Sequence, residues 1–204
     1  MKTEIRHLDF EVRAEENEEH GHFLSGRPIV FGQRTNVGMF DEVIEAGALD
    51  TTDLKDVRFL VNHNTDMIPL ARSRNNNENS TMQMSVDADG MLIRVDLDID
   101  NNADARSLYS AVGRGDISGM SFMFNVDKDS WDDAESDHPT RHVRSIKRVL
   151  EVSAVTFPAY SQTSIQVRGL SDALDSVPET LESERARIAE LRLAKEKLKV
   201  KARI

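Results

Sequence analysis

The chain has 204 residues, 39% of them hydrophobic and 30% charged, and a formal net charge of −10. That length suits one domain with an appendage or two small domains, and so low an apolar fraction supports a core only if part of the chain lies outside it. The charge argues against nucleic acid or an anionic membrane as partner, the lack of any run of about 18 apolar residues excludes a transmembrane helix, and zero cysteines exclude disulfides, thiolate zinc sites and cysteine nucleophiles.

The opening "MKTEIRHLDFEV" lacks the apolar stretch of a secretory signal, so the chain reads as cytosolic and any nucleophilic catalysis falls to serine or threonine. Residues 3–13 alternate imperfectly as a strand, "AEENEEHGH" (14–22) reads as a polar turn, and 23–32 resumes as strand. "FDEVIEAGAL" (40–49) predicts a short helix, with Asp41 and Glu42 at its positive end and Gly47 near its close. "VRFLVNHN" (57–64) is an apolar strand that carries His63 at its end, on the face of Val57, Phe59 and Val61 by period two. Residues 72–80 form a polar loop, and 82–100 a hairpin turning at Asp89-Gly90.

"NNADARSLYSAVGRG" (101–115) predicts a helix capped by Asn101 or Asn102, with Ala105, Leu108, Tyr109 and Val112 as its buried stripe. The strand "GDISGMSFMF" follows, then an acidic loop over 127–141, then one or two strands over 142–160 that stop at Pro158. From Gly169 the composition changes. Val177, Leu181, Ile188, Leu191, Leu198 and Ala202 make an incomplete heptad seam, interrupted at Glu184 and Lys195, and residues 171–204 hold eight Lys/Arg and seven Asp/Glu. The expected organisation is a mainly β body, 1–170, with surrounding helices (α+β), and a charged C-terminal helix, 171–204. Short strands joined by hairpins favour a barrel or closed sheet over a doubly wound one.

Ser118 and Ser121 stand three apart in the 115–124 strand. Even positions 120, 122 and 124 are Met and Phe and define the core face. Parity therefore places Ser118 at the core-facing entry and Ser121 on the open face, provided Gly119 does not bulge. Serines in strands are commonly fillers; a nucleophile needs a base. Of six histidines only His63 ends an apolar strand, where a base is held rigidly beside apolar surface. A base needs an orienting acid, and Glu151 is a carboxylate inside the apolar "VLEVSAVTF", costly to bury unless bonded. His20 and His22 in "EEHGH" form at most a loose metal site. "GRGDISG" has neither the lysine nor the spacing of a phosphate-binding loop.

Taken in order, "FDEVIEAGAL", "VNHN", "GDISGMSF" and "VLEVSAVTFPAY" resemble the prohead (capsid maturation) proteases of tailed bacteriophages, relatives of the herpesvirus assemblin proteases. The resemblance covers roughly residues 5–170. It implies a closed assemblin-like β-barrel and a serine endopeptidase with His63 as base, Ser121 as nucleophile and Glu151 as third member. Ser118 is the fallback nucleophile, and backbone amides at the turn of Pro158, Ala159 and Tyr160 are the oxyanion donors. Many phage members of the family carry glycine where this chain has Met123. The family's partners are the scaffolding protein or the scaffold segment of the major capsid protein, and often the protease itself, inside the immature capsid in the host cytoplasm. A homo-oligomer fits the same setting. No cofactor or metal is implied. The rival expectations are a non-catalytic assembly factor acting through the C-terminal helix and, less favoured, a metal-dependent hydrolase using His20 and His22.

Overall fold

Met120, Phe122 and Phe124 have no exposed surface, so residues 119–132 form a strand with one face committed to the core. The structure is a computed structural model that describes residues 3–8, 12–156 and 179–201. Its strands lie in two sheets. The seven-stranded sheet contains β1 (Glu4–Leu8), β4 (Arg34–Asn36), β5 (Asp41–Ile44), β6 (Asp56–Val61), β7 (Ala71–Arg74), β10 (Gly119–Asp132) and β11 (Thr140–Val155). The four-stranded sheet runs β2 (Val12–Asn17), β3 (Gly21–Val30), β9 (Gly90–Asp96), β8 (Met82–Asp87). Helix α1 (Ala103–Gly113) buries Ala105, Leu108 and Val112, with Asn102 as its cap, while Tyr109 is half-buried.

The long antiparallel pair β10–β11 organises the first sheet. Beyond it, β11 pairs in parallel first with β5, over 140–143, and then with β6, over 151–154; β1 covers the other edge of β10. Both sheets and α1 contribute to one core, in which Phe59, Phe122, Phe124 and Val152 meet Leu24, Met82, Met91 and Val95. The mainly β, α+β class is as expected. The closed barrel is not found: among the described residues the pairings end at edges β1, β4 and β7 in one sheet and β2 and β8 in the other. The hairpin β8–β9 forms, but it turns at Ala88-Asp89 rather than Asp89-Gly90: Gly90 pairs with Asp87 as the first residue of β9, and Asp87 Oδ1 accepts from the N–H groups of Asp89 and Gly90. Gly90 has φ of 143°, and a Cβ there would lie 2.0 Å from the Ile29 carbonyl oxygen, so no other residue fits.

The polar turn expected over 14–22 shrinks to residues 18–20, because 14–17 belong to β2 and 21–22 to β3. "FDEVIEAGAL" is not a helix: its Asp41–Ile44 segment is β5, followed by turns. Val43 and Ile44 gain a parallel ladder with β11, and Glu42 is buried against Arg6 and Arg141, contacts that outweigh the local helix signals. The acidic loop at 127–141 is mostly strand. Trp131 is buried against Phe40 and Leu181, and Arg141 neutralises Asp129, so the strand part of the run is packed into the fold.

Glu4, Arg6, Glu42, Asp129 and Arg141 make a buried ionic network. The Arg6 guanidinium donates to both oxygens of Glu42 at 2.6 and 2.8 Å, and Arg141 donates to Asp129 at 2.7 Å and to Glu42 at 3.1 Å. Burial raises the Glu4 carboxyl pKa, but the hydrogen bond from Arg141 and the charges of Arg6 and Arg141 outweigh it and hold it below the usual range. Glu4 therefore stabilises the fold above the ordinary carboxylate range, and that contribution is lost as pH falls through its lowered value. Replacing Arg141 by methionine strands buried carboxylates and is expected to cost about 3–5 kcal/mol in denaturant unfolding.

The C-terminal helix, α2 (Glu179–Lys201), touches the body through its first turns. Leu181 packs with Phe40, Trp131 and Ala134, Trp131 Nε1–H donates to Thr180 Oγ1 at 3.0 Å, and Arg185 donates to the Ala134 carbonyl at 2.6 Å. Beyond Ile188 the seam residues Leu191 and Leu198 are exposed.

Candidate active site

Strand register brings the predicted serine and glutamate together. Across β10 and β11 Ser121 lies opposite Ser153 and Met123 opposite Glu151; on the other side of β11, Glu151 and Ser153 lie beside Arg58 and Leu60 of β6. Opposed residues share a face of the sheet. Ser121, Ser153 and Glu151 therefore project together, away from the core face of Phe122, Val152 and Phe59. The register is regular from Gly119 to Met123, so Gly119 does not bulge and the parity separating Ser121 from the core residues holds. The first irregularity follows Met123, where β11 steps from Glu151 to Val149 and leaves Leu150 as the extra residue.

His63 reaches this face by a route that period two does not describe. β6 ends at Val61, and Asn62 and His63 both adopt left-handed backbone, with φ of 50° and 55°. Asn62 fixes the turn: its N–H donates to the Ala154 carbonyl at 3.0 Å, and its side-chain oxygen accepts from Thr156 N–H at 2.9 Å. The turn carries the imidazole off the Val57–Phe59 core face and over β11. There His63 Nδ1 hydrogen-bonds Glu151 Oε1, and Nε2 lies 2.6 Å from Ser121 Oγ. A carboxylate only accepts, so Nδ1 carries the proton and Nε2 is the acceptor that faces the hydroxyl.

The group is dry. Ser121 and Ser153 are 0% exposed, Glu151 3% and His63 8%. Ser121 Oγ also lies 2.8 Å from the carbonyl oxygen of Arg6 on β1, so its single proton has two acceptors to choose between. Ser153, which sequence reasoning missed, donates through Oγ to Glu151 Oε2 at 2.6 Å and accepts from His63 N–H at 3.1 Å. The only sequence signal for it was its position two residues after Glu151, hence on the same face of the strand.

The histidine, serine and glutamate named from sequence are thus joined in one hydrogen-bonded series. A family model described as caudovirus prohead serine protease matches residues 8–176. The chain belongs to this family. It is therefore a serine protease of the kind that acts in bacteriophage capsid maturation. No curated protein matches it. Among solved structures it is similar to the bacteriophage T4 capsid assembly protease, gp21, at 13% identity and a TM-score of 0.36, over 74% of this chain and 98% of that one.

Ser118 precedes β10 and is exposed rather than core-facing; its carbonyl accepts from Val12 N–H at 3.2 Å, and Ser121 supplies the hydroxyl that meets His63. Pro158, Ala159 and Tyr160 lie outside the described residues. Met123, where many of the family's phage members are expected to have glycine, is half-buried opposite Glu151. His20 and His22 sit where β3 begins. A guanidinium nitrogen of Arg94 lies 3.0 Å from His20 Nε2, a poor neighbour for a cation. Among the described residues no group of three His, Asp or Glu is placed to hold a metal.

Proposed function

We propose that the protein is a serine endopeptidase with a Ser121–His63–Glu151 triad that cleaves the scaffolding protein, or the scaffold segment of the major capsid protein, within the immature phage capsid in the host. The observation that carries the reading is the unbroken series Glu151 Oε1, His63 Nδ1, His63 Nε2, Ser121 Oγ. In the reaction His63 Nε2 takes the hydroxyl proton as Oγ attacks a peptide carbonyl, and the carboxylate of Glu151 stabilises the imidazolium that forms. His63 then passes the proton to the departing amine, leaving an acyl-enzyme at Ser121. Water, deprotonated by the same nitrogen, releases the acyl group and regenerates the hydroxyl.

Two features of the site bear on this chemistry. The Ser121 proton must turn from the Arg6 carbonyl to Nε2 before attack, so β1 competes with the base for the nucleophile's hydrogen bond. Ser121 has no exposed surface, so a substrate carbonyl reaches Oγ only after the groups above it part. For the oxyanion, the family resemblance supports the backbone amides of Ala159 and Tyr160, which follow β11 in the chain.

Scaffold cleavage and self-cleavage are tested together. Wild-type protein incubated with its capsid–scaffold partner is expected to yield new termini in both partner and protease, mapped by mass spectrometry, while Ser121→Ala yields none. Identical fragment patterns from the two proteins, together with loss of encapsidation on deleting 179–201, would instead favour a non-catalytic assembly factor working through α2, whose exposed Leu191 and Leu198 suit a helical partner.

A further inference from the structure

The triad uses one oxygen of the Glu151 carboxylate; the other is engaged by a residue that no part of that mechanism requires. We propose that Ser153 is a positioning residue, a single hydroxyl that sets the acid and the base relative to each other. The proposal rests on the triad reading and adds a fourth member to it.

The direction of each bond is forced. Glu151 as carboxylate only accepts and the His63 amide only donates, so the one Ser153 proton goes to Oε2 and a lone pair of Oγ takes the amide hydrogen. Ser153 thereby fixes the rotation of the carboxylate, which aims Oε1 at Nδ1. It also secures the backbone of His63 in its left-handed conformation, one unfavourable for a residue with a Cβ. Its place follows from register: Ser153 sits between Ser121 on β10 and Leu60 on β6, on the face of Glu151. With Ser153 fully buried, no solvent water replaces a deleted hydroxyl, and alanine would leave both a carboxylate oxygen and an amide without that partner. Its hydrogen bonds go to Glu151 Oε2 and from the His63 amide, so its effect passes through those two partners.

On the full chain, Ser153→Ala is expected to lower kcat by about 10–100-fold with KM nearly unchanged, the loss of a hydrogen bond to a charged group. It is also expected to shift or broaden the low-field proton resonance of His63 Nδ1–H. Ser153→Thr, which retains the hydroxyl, should recover both. Wild-type kcat with an unmoved resonance in Ser153→Ala overturns the proposal. So does a threonine variant, folded, as impaired as the alanine one, or a loss confined to melting temperature. If the alanine variant does not fold, Ser153→Cys, of similar shape but a weak donor, is read against threonine by the same criteria. The resonance needs no turnover, so it tests Ser153 in a Ser121→Ala background as well; undiminished cleavage by Ser121→Ala is the separate result that would remove the triad reading.

Discussion

Ser121→Ala is expected to abolish cleavage of the capsid–scaffold partner, lowering kcat by about a millionfold, the scale on which a serine nucleophile matters in triad proteases. The fold should survive. The side chain has no exposed surface, the substitution removes one oxygen without adding volume, and the neighbouring strand pairing is made by backbone. His63 then loses one polar contact at Nε2 while keeping its bond to Glu151. A melting temperature near wild type alongside absent cleavage products is the expected pair of measurements. Ser118→Ala is the matched control: Ser118 is exposed and precedes the strand, so activity should be unchanged. Full activity in Ser121→Ala with loss in Ser118→Ala would reverse the assignment.

The second large effect belongs to Glu151→Gln, for which a fall in kcat of about 10⁴-fold is expected. The substitution is nearly isosteric, so the cause is the direction of hydrogen bonds. Ser153 donates to the Oε2 position, which draws the one accepting oxygen of the glutamine toward Ser153. The amide nitrogen is left facing His63 Nδ1, and because it donates, Nδ1 must accept. The ring proton moves to Nε2, where it points at Ser121 and cannot receive the hydroxyl proton. Single-turnover measurement of acylation isolates this step. A rate within tenfold of wild type would show that Glu151 only buttresses His63. Glu151→Gln and Ser153→Ala act on one carboxylate, so their effects should not add.

Particular residues show how far the sequence reached. Ser121 was separable from Ser118 because apolar residues at 120, 122 and 124 mark one face of a strand, and period two leaves Ser121 on the other. Glu151 was conspicuous because an apolar strand does not hold a carboxylate without a partner. His63 was identified for its place at the end of an apolar strand, yet the face assigned to it was wrong. Parity ends with the strand, and two left-handed residues after Val61 turn the side chain over. Residues 40–49 misled for a different reason: the charge of Glu42 is compensated by Arg6 and Arg141, which lie 36 and 99 residues away. Local composition cannot assign such a carboxylate to the interior because its counterions are far away in the chain.

Periodicity, capping residues, composition and the lack of cysteine thus determined by themselves the broad class, the mainly β body, the α1 and C-terminal helices and the types of residue able to act. Those follow from near-neighbour periodicity and side-chain chemistry. Only the tertiary structure decided that the described strands form two open sheets, that the nucleophile is buried beneath its surroundings with β1 offering its proton a second acceptor, and that Ser153 ties acid to base. Each of these depends on which residues of β1, β6, β10 and β11 stand opposite one another, where a shift of one residue would move every side chain to the opposite face.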